Sequence, residues 1–394
     1  MRLIFDCCKW DMQSEDHSVV ADYPLFLEEQ EWCRVAKLAE QLSEEVLAAE
    51  EELLHRPDLH ATLGMPASIR KALLKLSAET IPTGGARIMR FDFHFTREGW
   101  RISEVNADVP GGFIEASGFN RLMGEHYSSH LIPPDPVDAY ATKIACMTQR
   151  PGVVGLVHAT AHCDDRQVMQ YMGQEFERSG IRTVAISPNH LQWESGFARL
   201  TKPFPTVQPA VLVRFFPGEW LPNLHPACWL PWFRDGKTPM SNPGTAILIQ
   251  SKLFPLVWDE LKTCLSTWRS LLLETRSPSA APKNSAEWIF KPVFGRVGED
   301  VVIAGVTEQS AYKELIRDVA RHPDDWIAQR RFESIPLETG SGLQHACLGV
   351  FTLDSRAVGA YGRIARKPLI DQDAQDIAVL VRRKDHGDDR KRPL

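Results

Sequence analysis

The chain has no uninterrupted apolar run of about 18 residues, so no transmembrane helix is expected. It has no internal repeat, no low-complexity tract and no Cys-x-x-Cys pair among its eight cysteines, which argues against a solenoid, a disulfide framework and a cysteine-based zinc site. It has no basic surplus. Lys and Arg number 45 against 51 Asp and Glu, a net charge of −6, which speaks against nucleic acid as a principal partner. The first residues, MRLIFDCCKWDMQSEDH, carry Asp6, Asp11, Glu15 and Asp16 where a secretory signal needs an apolar core, so a cytoplasmic protein with inert thiols, Cys7 and Cys8 included, is expected. With 43% hydrophobic and 24% charged residues, the 394-residue chain is an ordinary globular one, long enough for roughly two or three domains.

What is present has helical and strand periods. Residues 26–56 carry Leu27, Val35, Leu38, Leu42, Val46 and Leu53 at helical spacing. The run Pro133-Pro134-Asp135-Pro136 marks a break. Beyond it, GVVGLVHA (152–159), an acidic-starting helix (164–180) and IRTVAIS (181–187) form one βαβ unit and predict a parallel sheet. Residues 201–245, dense in Pro and Trp, read as loop; a helix is expected near 252–275, strands around Gly295, a helix near 308–320, and strands after it. His158 and His162 have zinc-like spacing only if their segment is helical, and a strand end running into a loop is expected instead.

Two segments carry chemistry. In IMRFDFHF, Met89, Phe91, Phe93 and Phe95 alternate with Arg90, Asp92 and His94; in WRISEVNAD, Trp100, Ile102, Glu104 and Asn106 share a period of two. A turn over Arg97-Glu98-Gly99, centred on Glu98, sets Asp92 opposite Glu104 and Arg90 opposite Asn106. Opposed carboxylates repel, so a cation between them is expected; two carboxylates and an amide suit Mg²⁺, and a network satisfied by Arg90 or Arg101 is the structural alternative. The second segment, WIFKPVFGRVGEDVVIAG, places Lys291 on a strand before a loop with Gly295, Arg296 and Gly298, a phosphate-binding pattern that is neither Walker nor Rossmann. Together they point to a nucleoside triphosphate.

R-x-D, then E-x-N-A-D, and far downstream K-P-x-x-G-R-x-G resemble the synthetase domain of glutathionylspermidine and trypanothione synthetases, from about residue 30 to about 383. The resemblance implies a mixed α/β, circularly permuted ATP-grasp fold with a Rossmann-like pre-ATP-grasp domain. It divides the chain into a helical segment plus metal-binding hairpin (1–135), a substrate domain (136–245), a nucleotide-binding region with the glycine-rich loop (246–383) and a tail (384–394); no amidase domain is expected. Its implied roles are Asp92, Glu104 and Asn106 as Mg²⁺ ligands and Arg90 at the reacting carboxylate. Lys252, Lys291, Gly295, Gly298 and Gln329 fall to ATP, Arg296 to the glycine loop, and Arg363, in competition with Arg366, to phosphate. Asp164 and Asp165 fall to a polyamine-like amine, although acidic residues also favour helix N-termini in their own right.

The implied activity is ATP-dependent amide formation through an acyl phosphate. The loop Ala107-Asp108-Val109-Pro110-Gly111-Gly112-Phe113 lacks the hydroxyl and thiol side chains of characterised relatives, and the C-terminal strand lacks their acidic run and Thr. The same chemistry on another amino acid or peptide and another amine is therefore an alternative to glutathionylspermidine synthesis, and a silent nucleotide-binding protein acting through a partner is a third reading.

Overall fold

The computed structural model describes residues 1–10, 13–14, 17–76, 85–148, 152–282, 286–295 and 301–383. The expected mixed α/β class holds, and the βαβ unit is where the sequence placed it. Strands Val154–His158 and Thr183–Ile186 pair in parallel, joined by helix Cys163–Arg178. All five residues of Val154–His158 are buried, as in a strand covered on both faces. Strands Val211–Phe215 and Met240–Ser241 extend this sheet to four, all parallel. Residues 201–245 are thus not simply loop. Flanking prolines masked the apolar run of Val211–Phe215, which pairs on both edges, and residues 226–233 form a further helix.

The second layer is an antiparallel sheet ordered Gln375–Ile377, Arg356–Ala365, Gly342–Leu353, Ile88–Thr96, Gly99–Asn106. Two remote stretches of chain therefore build one sheet. Its core face carries Phe91, Phe93, Leu348, Val350 and Ala360, which pack on the long helix Glu29–Leu54. That helix buries Val35, Ala39, Leu42, Val46, Ala49 and Leu53, a stripe at steps of four and three, as its sequence period required. Leu27 belongs instead to strand Leu25–Glu28, which pairs in parallel with Val379–Arg382.

A third, small antiparallel sheet is ordered Thr275–Arg276, Trp326–Arg330, Trp288–Pro292, Val302–Ile303, with helix Gln309–Arg321 beside it. The helix expected near 252–275 is broken into a 3₁₀ segment, Phe254–Glu260, and a short helix, Ser266–Leu271. Carboxylates of the long helix hold this path. Glu52 accepts from the backbone N–H of Lys262 and Thr263 between the two segments, and Glu45 from those of Thr267 and Trp268, first-turn donors that have no partner within the short helix.

Among the described residues no helix is long and apolar enough to cross a membrane. Cys7 and Cys8 are buried, and burial pushes the Cys7 thiol up to about 11 and the Cys8 thiol upward as well, so both stay protonated and unreactive at neutral pH.

Candidate active site

Two register effects bring the hairpin carboxylates together. The turn is tighter than expected: Thr96 pairs with Gly99, leaving the two residues Arg97-Glu98 at the tip, with Gly99 at φ 97. Paired positions near the turn therefore sum to 195, as in Phe93 with Ile102. A bulge at Ser103 then restores the expected sum, so that Asp92 faces Glu104 and Arg90 faces Asn106. The bulge also corrects the expected face. Trp100 and Ile102 turn to the core with Val105, while Glu104 and Asn106 stand on the opposite side with Arg90 and Asp92.

The opposed carboxylates are not left to repel. Arg90 donates to Asp92 through Nε (2.7 Å) and Nη2 (2.9 Å), and Asn106 Nδ2 donates to the same carboxylate at 3.1 Å. Glu104 is met by Lys252 at 3.3 Å. Burial pushes the Glu104 carboxyl up, but Lys252, Lys291 and Arg90 outweigh it and hold the group below its ordinary value. Side-chain cations thus supply the neutralisation that the sequence argument gave to a metal. The donor set still fits Mg²⁺: it is oxygen-only, and the Asn106 amide, donating through nitrogen, keeps its oxygen free. Among the described residues no group of three or more His, Cys, Asp and Glu side chains comes together, so an ion here would draw its remaining ligands from water and phosphate.

Next to Glu104 a cleft opens between the antiparallel sheet and the small sheet. It is lined by Ser103, Glu104, Lys252, Lys291 and Gln329 and floored by apolar groups such as Phe254 and Ile327. Lys291, on the strand leading to the glycine loop, donates to Gln329 Oε1 (2.9 Å) and to the carbonyl of the bulged Ser103 (3.1 Å). Lys252 donates to the Gly295 carbonyl at 2.6 Å. The structure therefore gathers Lys252, Lys291, Gly295 and Gln329 in one place. Arg296 and Gly298 lie outside the described residues.

Along the same sheet face, Arg90 is gripped from three sides. Beyond Asp92, its Nη1 donates to the Gly111 carbonyl (2.6 Å), and its guanidinium lies 4.9 Å above the Tyr361 ring. Gly349 makes this possible, since a Cβ there would stand 2.7 Å from Arg90 Cδ and 3.0 Å from Tyr361. Gly349→Ala is expected to cost about 1–3 kcal/mol by overpacking and to lift Arg90 off the ring. Denaturant unfolding and the variant's structure read both effects; wild-type stability with the Arg90–Asp92 pair unmoved would refute it.

Arg363 lies on this face too, donating to the carbonyls of Asp371 (2.7 Å) and Ala374 (3.1 Å), with Asp376 at 3.6 Å. Arg366 is exposed beyond it. Asp164 and Asp165 belong to the parallel-sheet layer, on the first turn of helix Cys163–Arg178, where Asp165 lies 3.5 Å from His162. His158 ends its strand, with Nδ1 3.2 Å from the Leu156 carbonyl, and the segment to His162 is not helical.

Sequence reasoning missed several members. Asp108 was part of the E-x-N-A-D motif, yet its partner is Arg214, paired with it where both side chains are fully buried. A lone arginine inside the apolar run VLVRFF was the available signal. Tyr361, Lys9, Glu115 and Asp376 carried no motif, because only tertiary packing brings them together.

Comparison with known proteins agrees with this architecture. The family model described as glutathionylspermidine synthase preATP-grasp matches residues 6–382. No curated protein matches the chain. Among solved structures, a glutathione synthetase-like effector from Globodera pallida, in its apo form, is 12% identical with a TM-score of 0.60, over 91% of this chain and 89% of that one. A protein described as a γ-glutamylcysteine synthetase from Methylobacillus flagellatus is 12% identical over 82% and 83%, with a TM-score of 0.41. At such identity the first likeness concerns the fold alone.

Proposed function

The chain belongs to the glutathionylspermidine synthase family, a family of ligases, and from that premise we propose that it is an ATP-dependent, ADP-forming carboxylate–amine ligase. The observation that carries the reading is the meeting of Glu104, which faces Asp92 across the hairpin, with Lys252, Lys291 and Gln329 at one cleft. Adenine would lie toward Gln329, with the phosphates on Lys252 and Lys291. Asp92, Glu104 and Asn106 would hold Mg²⁺, which supplies charge neutralisation at the phosphates when bound.

Arg90 orients the acid, whose carboxylate oxygen attacks the γ-phosphorus in line; the bond to the β-γ bridging oxygen breaks, giving an acyl phosphate and ADP. Arg296 and Arg363 counter the charge on the transferred group, and exclusion of water protects the acyl phosphate. The amine, losing a proton, then attacks the acyl carbon and phosphate leaves. Asp164 and Asp165 attract a cationic amine by charge. Reduced thiols agree with work in the cytoplasm.

One observation favours an acid other than glutathione. In the loop after Asn106, Asp108 is consumed by Arg214 and Gly112 packs on Tyr361, so this loop presents no hydroxyl or thiol to a peptide. The test is an ADP-release assay over a panel of amino acids and short peptides crossed with amines and polyamines. Amine-dependent ADP formation supports the ligase. Nucleotide binding without turnover would mark a silent binder, and the absence of both would overturn the reading.

A pH effect follows from Lys291. Burial pulls its ammonium down to about 8, Glu104 opposing and Lys252 adding to the fall. The triphosphate needs the protonated form, which is full below that pKa and lost above it. Affinity for a non-hydrolysable ATP analogue should therefore fall as pH rises through about 8, by up to about tenfold per unit, when followed by calorimetry. Lys291→Met should bind weakly and without this slope; the slope persisting in that variant would exclude Lys291 as its source.

A further inference from the structure

Lys9 follows the N-terminal helix Arg2–Cys7 and reaches Glu115 and Asp376. Its Nζ lies 2.7 Å from Glu115 Oε1 and 3.0 Å from Asp376 Oδ2, with the three side chains only 8%, 8% and 11% exposed. The second oxygen of Asp376 accepts from the Tyr361 hydroxyl (3.0 Å) and faces Arg363 Nε at 3.6 Å. The Tyr361 ring, in turn, carries the Arg90 guanidinium. Contacts therefore run unbroken from Lys9 through Asp376 and Tyr361 to Arg90.

Among the described residues, Lys9 and Arg363 are the cations that meet Glu115 and Asp376 on this path. Without Lys9, two buried carboxylates would share one guanidinium, and an uncompensated buried charge is costly enough to rearrange its neighbours. We propose that Lys9 is a positioning residue for Arg90: by neutralising Glu115 and Asp376 together, it leaves Asp376 free to hold Tyr361 beneath the guanidinium. The catalytic consequence rests on reading Arg90 as the arginine at the reacting carboxylate; the coupling itself does not. A lysine that merely fastened the N-terminal helix would leave Arg90 where it is.

The network also predicts a pH signature. Burial and the neighbouring Asp376 push the Glu115 carboxyl up while Lys9 draws it down, and Tyr361 and Arg363 complete the groups around Asp376. In Lys9→Met the restraint is gone, so Glu115 holds a proton in mild acid and becomes an uncompensated charge only as pH rises.

The experiment is NMR of the full-length protein labelled at arginine, reading the ring-current shift that Tyr361 imposes on Arg90, assigned with Tyr361→Leu. In Lys9→Met the shift should stay near wild type in mild acid and be lost in alkali. Lys9→Arg and the double variant Lys9→Met/Glu115→Gln should keep it throughout. With the acid and amine selected by the ADP-release panel, kcat/KM for the acid should fall by about a hundredfold in alkali for Lys9→Met, with the KM for ATP unchanged.

An unshifted Arg90 in folded Lys9→Met, in mild acid and in alkali alike, would overturn the proposal. So would a loss that Glu115→Gln does not repair, and the double variant decides the matter if Lys9→Met fails to fold. A wild type that forms no ADP with any pair would defeat the ligase reading, while the NMR comparison would still decide the coupling.

Discussion

Glu104→Gln is expected to cut ADP formation by about 10²–10³-fold, the loss usual when one preorganised charge is removed from a water-excluded site. The substitution keeps the shape of the side chain and deletes its charge, and three consequences converge. A carboxylate facing Asp92 across the hairpin is lost, and with it one of the two charged oxygen donors for a divalent ion. Lys252 loses its partner at 3.3 Å. Lys291, already pulled to about 8, loses the carboxylate that opposes its desolvation and loses more of its proton at neutral pH. Nucleotide affinity should therefore fall together with turnover. Asp92→Asn should differ in degree: it removes the other charged oxygen donor and loosens the two-point grip on Arg90, but Lys252 keeps Glu104, so nucleotide affinity should stay closer to wild type. ADP release with the selected substrate pair, checked against calorimetry of an ATP analogue, separates the two. Turnover of Glu104→Gln within about tenfold of wild type, in a protein melting normally, would remove Glu104 from the reacting centre.

Much of this site was legible in the sequence, some of it through errors that cancelled. The pairing of Asp92 with Glu104 was derived from a turn centred on Glu98; the true turn is one residue tighter, and the bulge at Ser103 shifts the register back. Alternation cannot reveal a bulge, so Trp100 and Ile102 were assigned to the wrong face. The extra residue has a use, since its carbonyl is what Lys291 grips. The periodic elements were readable because burial on one face imposes a period: the long helix, the βαβ unit and the hairpin all stood out. Strand Val211–Phe215 did not, because its prolines lie outside the strand and only position in the sheet makes it central. Charge was the hardest quantity to read. Repulsion between Asp92 and Glu104 pointed to an external cation, but Arg90 two residues away and Lys252 on a distant segment already answer it. Which cation meets a carboxylate is a tertiary fact, invisible to spacing along one strand.

The largest loss of stability is expected from Asp108→Ala. Asp108 follows the hairpin strand Gly99–Asn106, and Arg214 lies within the parallel-sheet strand Val211–Phe215, so their pair fastens the antiparallel-sheet layer to the parallel-sheet layer. Both charged side chains are fully buried. Asp108 also accepts from the Gly218 amide at 2.7 Å, and its carbonyl accepts from Asn242 at 2.8 Å. Arg214 donates in addition to the carbonyls of Phe216 (2.7 Å), Pro243 (3.0 Å) and Asn242 (3.1 Å). Those carbonyls keep the guanidinium where it is when the carboxylate goes, so the charge can neither leave nor be answered. Removing one partner of such a pair costs about 3–5 kcal/mol, whereas replacing both with apolar groups is close to neutral. Asp108→Ala should therefore unfold at markedly lower denaturant, and Asp108→Leu/Arg214→Met should recover part of the loss, since the Gly218 amide and three carbonyls still lose their partners. That contrast separates a fastening from a chemical role: if Asp108 acted on substrate, the double variant would be stable and inactive, whereas a fastening residue predicts that activity returns with stability. Wild-type unfolding of Asp108→Ala would mean that the carbonyl cage alone stabilises Arg214 and that the two layers are held together elsewhere.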